Sequence, residues 1–341
     1  MKTNIFNIRL LLGVLSSLLV FQSCIDLVPL RDNVQEEMDH AVDGDFDGMI
    51  VYLNRNGKSK FYSAGFNNRE KLTPADPHSL FRIASISKLY IAAATAKMVA
   101  AGQLNLDQKL VELIPEVEGR IENADRISLK MMIGHRSGIP EFIYHPDFES
   151  GNNLSYMENA SLIFDESADF EPDKKYSYSN TNYLLIGEIL DRTLGYSHHQ
   201  YIKNTILLPM GLTNTYSLYS EVDSNRLMSG YLKGYDQDVK SWDHVLPGGS
   251  MIATAEDVGL FLRYMIDGSL FSQEEQDIYS SIYKYEHTGW VNGYCSIVNY
   301  HEDSDAVVVQ FVNTSGKEIF WLKLNRVYDR IVRLIEKENE N

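Results

Sequence analysis

Ser85 and Lys88 are a pair whose types and spacing could carry out nucleophilic chemistry. They lie in FRIASISKLYIAAATAKMVAA, from Phe81 to Ala101, where the pair stands at the start of an otherwise apolar helix. Residues three positions apart share a helix face, so the hydroxyl and the ammonium can come within hydrogen-bonding distance. Burial and the partial positive charge of a helix N-terminus disfavour the charged form of a lysine. Lys88 could therefore accept the proton of Ser85 and activate its hydroxyl.

The spacing of Ser85 and Lys88 fits equally well a serine near a helix start with a solvated lysine. A second segment is therefore needed to support a catalytic interpretation. Tyr178-Ser179-Asn180 provides one. An extended backbone would send Tyr178 and Asn180 to the same side, where Asn180 could hold the Lys88 ammonium or a substrate amide. Tyr178 is a second candidate base, with its phenol pKa lowered by the adjacent ammonium, and it could then donate a proton to the leaving group. The choice between Lys88 and Tyr178 as the main base stays open.

A third segment, His287-Thr288-Gly289, lies in a predicted strand that runs to a turn at Asn292-Gly293. Gly289 has no side chain, which we interpret as room for a ligand to approach the backbone. Histidine at neutral pH is mostly uncharged, so His287 offers little positive charge to a substrate carboxylate.

In this order the three segments resemble the penicillin-recognising serine hydrolases, whose S-x-x-K motif is matched by Ser85-Ile86-Ser87-Lys88. Within them the chain is most similar to the class C β-lactamase-related family, which includes D,D-carboxypeptidases, D-aminopeptidases and β-lactamase-like esterases. The resemblance covers about residues 33 to 335 and includes the segment PGGSMIATAEDVGLF. The β-lactamases of this family have a lysine in place of His287, which argues against efficient β-lactam hydrolysis.

The resemblance implies cofactor-free acyl transfer and hydrolysis of an amide, peptide or ester, as in D,D-carboxypeptidases and β-lactamases, through an acyl-enzyme on Ser85. It implies an esterase or a D-aminopeptidase as alternatives and, from another class, a penicillin-binding sensor that acylates without turnover. The implied catalytic residues are Ser85, Lys88 and Tyr178. The implied substrate contacts are Asn180, His287, Thr288 and Gly289. The backbone N–H groups of Ser85 and Trp290 would form the oxyanion hole.

Strands at both chain ends must position these residues around a helical middle. Predicted strands are Gly48 to Asn54, Lys60 to Gly65, Ser281 to Thr288, Tyr294 to Tyr300 and Ala306 to Asn313. Predicted helices are Asn33 to Ala41, Asn182 to Leu194, Glu256 to Ile266 and Glu318 to Glu336. This order predicts an α+β fold with a mainly antiparallel sheet built from both chain ends, flanking helices and an inserted all-helical subdomain. The family resemblance implies that this fold is β-lactamase/D,D-peptidase-like. We expect one serine hydrolase unit over residues 33–341, with 33–101 and 247–341 as its α/β part and 102–246 as its helical part.

The N-terminus has the pattern of an export signal. Lys2 and Arg9 precede an apolar run of 12 residues from Leu10 to Phe21, too short for a comfortable transmembrane helix. The run ends in FQSC, which resembles a bacterial lipobox. Residues 1–23 are therefore predicted to be a lipoprotein signal peptide, with Cys24 lipidated and residues 24–32 as a linker. We expect a periplasmic or cell-surface lipoprotein of the bacterial envelope, although Cys24 could be an ordinary thiol past another cleavage site.

The composition of the chain limits the classes of partner and cofactor that we expect. A formal net charge of −16 argues against nucleic acid, whose phosphates would be repelled. The pair His198-His199 and His244 have no HExxH motif or cysteine cluster beside them, and no metal or cofactor is predicted. His135 and Ser137 lack the GxSxG elbow of an α/β-hydrolase triad. We interpret Cys295 as a small apolar residue of a strand. We expect a monomer that acts on a small molecule or a peptidoglycan-type peptide.

Overall fold

The fold is built on an antiparallel sheet whose strands come from both ends of the chain. The computed structural model describes residues 29–148, 154–243 and 246–338; the predicted signal peptide, Cys24 and His244 lie outside these ranges. The strands are β1 Gly48–Arg55, β2 Lys58–Asn68, β3 Thr73–Pro74, β4 Phe81–Arg82, β5 Thr215–Tyr216, β6 Tyr231–Leu232, β7 Ile252–Ala253, β8 Glu286–Val291, β9 Tyr294–His301, β10 Ala306–Val312 and β11 Thr314–Ser315. The main sheet has the order β3-β2-β1-β10-β9-β8, and all its neighbours are antiparallel.

Helices cover both faces of this sheet. They are α1 Val34–Gly44, α2 Ser87–Ala100, α3 Leu110–Leu113, α4 Leu129–Ile133, α5 Tyr156–Ala160, α6 Asn180–Leu194, α7 His198–Ile202, α8 Ala255–Ile266, α9 Gln273–Ile282 and α10 Glu318–Lys337. No helix within the described ranges is both long and apolar enough to cross a membrane. The predicted α+β class, with an antiparallel sheet built from both ends of the chain and flanking helices, is confirmed.

The alternation of side chains along β1 shows why the sheet needs helices on both sides. Ile50 and Tyr52 belong to the larger core, which also contains residues of α2, α6 and α8. Met49, Val51 and Leu53 point to the other face and pack with α1 and α10. Successive strand residues face opposite sides of a sheet, so a strand that is apolar at every position is covered twice.

The first and last helices are joined by a buried ion pair. Arg330 Nε donates to Glu37 Oε1 at 2.7 Å, and its Nη2 donates to Oε2 at 2.9 Å. The two side chains are only 5% and 4% exposed. This bidentate pair connects the two ends of the described chain on the side of the sheet opposite α2.

The predicted strand from Ser281 to Thr288 is wrong in its first half. Residues 281 and 282 end helix α9, and β8 begins only at Glu286. A capping box starts the helix, since the Ser272 side chain accepts from the Glu275 N–H while the Glu275 carboxylate accepts from the Ser272 N–H. Tyr279 and Ile282 then lie on its buried side, at helical spacing.

Candidate active site

Ser85 lies in a tight turn immediately before helix α2. Residues 84–86 form one 3₁₀ turn, and Ala84 has a φ of +49°, a left-handed value that is uncommon for a residue with a Cβ. The Ser87 hydroxyl donates to the Ala84 carbonyl oxygen at 2.6 Å and accepts from the Met251 N–H at 3.2 Å. The turn is thereby fixed to the segment that leads into β7, with Lys88 in the first turn of α2.

The structure brings Ser85, Lys88, Tyr178 and Asn180 together. The Tyr178 hydroxyl donates to Ser85 Oγ at 2.8 Å, and Lys88 Nζ lies 3.2 Å from the same oxygen. Nζ also donates to Asn180 Oδ1 at 2.8 Å and to the Gly248 carbonyl oxygen at 2.9 Å. Gly248 was not among the residues predicted from the sequence. A Cβ at that position would lie 2.9 Å from Nζ, so the absence of a side chain there makes room for the lysine.

Lys88 is completely buried, and its surroundings favour a neutral amine. Burial lowers the pKa of Lys88 to about 7, while the negative charge of Glu141 opposes this shift. A neutral amine has two N–H donors and one lone pair. The oxygens of Asn180 and Gly248 can only accept, so they occupy both donors. The lone pair is then left for the proton of Ser85.

The predicted lowering of the Tyr178 pKa is wrong. Desolvation of the phenol raises its pKa above the ordinary value, and the hydrogen bond to Ser85 offsets only part of this. A lysine whose pKa is about 7 is also not a permanent ammonium that could lower the pKa of its neighbour. At neutral pH Tyr178 is therefore a phenol that donates a hydrogen bond to Ser85, and not a phenolate base.

Asn180 is held by a helix start and not by an extended segment. Ser179 is extended and caps α6, while Asn180 is the first helical residue. The extended residue between them still places Tyr178 and Asn180 on the same side, as expected from the sequence. The Ser179 hydroxyl turns away from Lys88 and donates to the Pro140 carbonyl oxygen at 3.4 Å.

The segment from His135 to Ile143 supports this motif, a role that the sequence did not predict. The buried His135 ring stacks on Tyr178 with 4.4 Å between centroids, and its Nδ1 accepts from the Ser179 N–H at 3.2 Å. Burial and the neighbouring Lys88 lower the pKa of His135 to about 3, so the ring is neutral. Thr181 Oγ1 donates to the Pro140 carbonyl oxygen at 2.6 Å and accepts from the Phe142 N–H at 2.9 Å. These contacts join segments about 40 residues apart, which no local pattern reveals.

The third predicted segment lies in β8, the edge strand nearest the Ser85 turn. His287 stacks on Tyr283 with 5.9 Å between ring centroids, and its Nδ1 is hydrogen-bonded to the Thr288 carbonyl oxygen. Burial and, to a smaller extent, Lys88 lower the pKa of His287 to about 3. The ring is therefore neutral throughout the physiological range.

Gly289 has a packing role, while the ligand approach expected at this position stays a prediction. A Cβ there would lie 2.3 Å from both the Ile83 carbonyl oxygen and Ser296 Oγ. The missing side chain lets β8 pack against the turn that carries Ser85. The next residue, Trp290, is 46% exposed, and the oxyanion hole formed by its N–H and that of Ser85 stays a prediction.

A cavity of about 680 Å³ extends from Tyr178 along β8 towards α10. Aromatic rings form much of its wall; they belong to His135, Tyr176, Tyr178, Tyr283, His287 and Tyr328. Its charged lining residues are Lys284, Glu286 and Asp329, so acidic groups outnumber basic ones. Lys284 also lies 3.4 Å from Glu286. Thr288 lines this cavity beside His287.

The histidine pair considered for a metal lies at the start of α7. His198 is fully buried at the start of α7, and its Nδ1 lies 2.7 Å from Asp191 Oδ1. His199 Nε2 is 3.2 Å from the Tyr156 hydroxyl. Cys295 is a buried free thiol in β9, which confirms its reading as an apolar strand residue.

Comparison with known families identifies the architecture. The sequence model described as Beta-lactamase matches residues 30–281, well over half of the chain. The chain belongs to the Beta-lactamase family. It is therefore a member of the β-lactamase-like serine hydrolases, as the three motifs suggest.

Solved structures show the same fold at low identity. D-amino acid amidase from Ochrobactrum anthropi SV3, complexed with L-phenylalanine amide, superposes with a TM-score of 0.81 at 22% identity, over 90% of this chain and 98% of that one. A class C β-lactamase from Rhodobacter sphaeroides superposes with a TM-score of 0.73 at 18% identity, over 89% of this chain and 100% of that one. The β-lactamase/D,D-peptidase-like fold is confirmed.

Curated relatives are longer proteins. Protein flp of Staphylococcus aureus (strain NCTC 8325 / PS 47) is 25% identical over 273 residues, which are 74% of this chain and 54% of flp. Penicillin-binding protein 4* of Bacillus subtilis (strain 168) is 26% identical over 206 residues, or 59% of this chain and 44% of that protein. The chain thus spans about half the length of the curated relatives it matches.

Proposed function

We propose that this protein hydrolyses an amide, peptide or ester through an acyl-enzyme on Ser85. The observation that carries this proposal is the position of Ser85 Oγ, 2.8 Å from the Tyr178 hydroxyl and 3.2 Å from the Lys88 amine. A serine becomes a nucleophile only when a neighbouring base takes its proton. Lys88, buried and with both N–H groups already bonded to oxygen, is the base that the contacts favour.

Each group then has one task in the reaction. Ser85 Oγ bonds to the acyl carbon while its proton passes to Lys88 Nζ. Collapse of the tetrahedral intermediate breaks the bond to the leaving group, which takes the phenolic proton of Tyr178. The proton held by Lys88 restores the phenol. A water molecule attacks the ester on Ser85 in the same way, and release of the acid regenerates the hydroxyl.

The charges around the cleft favour acyl donors without a carboxylate near β8. His287 is neutral because its pKa is about 3, and the cavity beside it has more acidic than basic side chains. A substrate carboxylate would have little positive charge to pair with there. Between the activities that the sequence leaves open, this favours an amidase, D-aminopeptidase or esterase over a D,D-carboxypeptidase or β-lactamase.

A substrate panel tests the proposal. The purified protein and Ser85→Ala are incubated with a p-nitrophenyl ester, a D-amino-acid amide, a D-Ala-D-Ala peptide and a fluorescent penicillin. We expect turnover of the ester or the amide by the wild type and none by Ser85→Ala. A fluorescent label that stays on Ser85 without turnover would instead support a penicillin-binding sensor. Failure of the wild type on all four compounds would reject the assignment.

We also propose that the protein is exported and anchored by a lipid on Cys24. The support is the sequence pattern of residues 1–24, a positive start and a short apolar run that ends at a cysteine. Metabolic labelling with a clickable palmitate analogue in a bacterial host would label the wild type and leave Cys24→Ala unlabelled. Equal labelling of both proteins would contradict this anchor.

A further inference from the structure

Glu141 lies behind Asn180, on the side away from Lys88, and makes three hydrogen bonds. Its Oε2 accepts from the Asn180 backbone N–H at 2.5 Å and from Asn180 Nδ2 at 3.0 Å. Its Oε1 accepts from the Ile143 N–H at 3.3 Å. The carboxylate is half-buried, and it satisfies one of the backbone donors left open at the start of α6.

These bonds determine which way the Asn180 amide faces. A carboxylate can only accept, so Nδ2 must point to Glu141 and Oδ1 must point to Lys88. A flipped amide would turn Nδ2 towards Lys88, where it could donate to the lone pair of the neutral amine. The lone pair would then no longer be available for the proton of Ser85.

We propose that Glu141 is a positioning residue of the active site, which orients Asn180 so that the Lys88 lone pair is directed to Ser85 and which supplies a negative charge to the protonated lysine. The proposal rests on the acyl-enzyme function of Ser85. Glu141 does not touch the reacting atoms; it acts through Asn180 and through its charge.

The negative charge of Glu141 should shift the pKa of Lys88 in a defined direction. Glu141 favours the ammonium form and so raises the pKa of Lys88 against the larger effect of burial. The other titratable groups that face Lys88 are neutral at neutral pH; they are Tyr178, Tyr183, His135 and His287. Without the charge of Glu141 the amine should lose its proton at lower pH.

The test measures the rate at which a fluorescent fluorophosphonate labels Ser85 as a function of pH, in the full-length protein. In the wild type we expect labelling to increase through about pH 7 as Lys88 becomes neutral. In Glu141→Gln the midpoint should move to lower pH. Glu158→Gln is a matched control, because Glu158 also caps a helix, accepting from the Ser155 N–H at 2.7 Å in α5. Its midpoint should equal that of the wild type.

A double-mutant cycle tests the orientation part. Glu141→Ala and Asn180→Ala should each lower the labelling rate, by roughly 10- to 100-fold for a displaced catalytic group. The double variant should be no slower than Asn180→Ala, because Glu141 acts through Asn180. Circular dichroism checks that each variant is folded. Glu141→Gln can keep both bonds at the Oε2 position, so the pH measurement does not depend on Glu141→Ala being folded.

The outcomes separate this proposal from the one on which it rests. A lower rate of Glu141→Gln at every pH with an unmoved midpoint would indicate a merely structural residue and would overturn the proposal. Additive losses in the double variant would overturn it as well. Failure of the wild type to label at Ser85 would instead reject the acyl-enzyme function itself.

Discussion

Replacement of Gly248 by alanine should inactivate the site by displacing Lys88. The new Cβ would lie 2.9 Å from Lys88 Nζ and Cγ and 3.1 Å from Cε. Ordinary carbon contacts are about 3.5–4.0 Å, so the lysine must move by roughly 0.5–1 Å. Its side chain is fully buried and donates to Asn180 Oδ1 and the Gly248 carbonyl oxygen, so this movement disturbs those hydrogen bonds.

The expected loss follows from that displacement. A misplacement of about 1 Å in a catalytic group can cost roughly 100-fold in rate, which corresponds to about 2.7 kcal/mol of transition-state free energy. The assay is kcat/KM with a chromogenic ester. Gly249→Ala is the matched control, because a Cβ there would meet only Leu246 Cβ, at an ordinary 3.8 Å. We expect nearly full activity from Gly249→Ala. Equal activity of Gly248→Ala and the wild type would refute the assignment of Lys88 as the base.

Three further predictions concern proton transfer and stability. The kcat/KM should rise through about pH 7, because only neutral Lys88 can accept a proton and its ammonium predominates below that pH; a rate that is independent of pH there would contradict this. Tyr178→Phe should lower kcat by orders of magnitude with an unchanged melting temperature, and full activity would exclude the phenol as proton donor. Glu37→Ala should lower the free energy of unfolding by about 3–5 kcal/mol in urea titrations, because Arg330 loses its buried carboxylate. It should leave kcat/KM unchanged. A change in the free energy of unfolding within about 0.5 kcal/mol would contradict the account of this ion pair.

The parts of the site that depend on local spacing could be predicted from the sequence. Ser85 and Lys88 are three residues apart, and Tyr178 and Asn180 are two apart, so either a helix turn or a short extended stretch places each pair on one side. The sheet could be predicted for a similar reason, because β1, β9 and β10 are short, apolar and bounded by turn residues.

The missing parts depend on contacts between distant segments. Glu141, His135 and Gly248 reach the site from other loops, and nothing in their immediate sequence places them beside Ser85. The direction of the Tyr178 pKa could not be predicted either, because it depends on how much burial the folded cleft imposes. The packing role of Gly289 could not be predicted from the sequence either. The atoms that a Cβ there would contact depend on how the sheet packs against the turn that carries Ser85.

The most direct test of the central claim is to trap the acyl group on the protein. The wild type and Ser85→Ala are mixed with a slowly hydrolysed ester, quenched in acid and examined by intact-mass and peptide mass spectrometry. We predict an adduct with the mass of the acyl group on the peptide that contains Ser85, which forms and then decays in the wild type and never forms in Ser85→Ala. Hydrolysis of the ester at an equal rate by Ser85→Ala, with no adduct on either protein, would contradict the account.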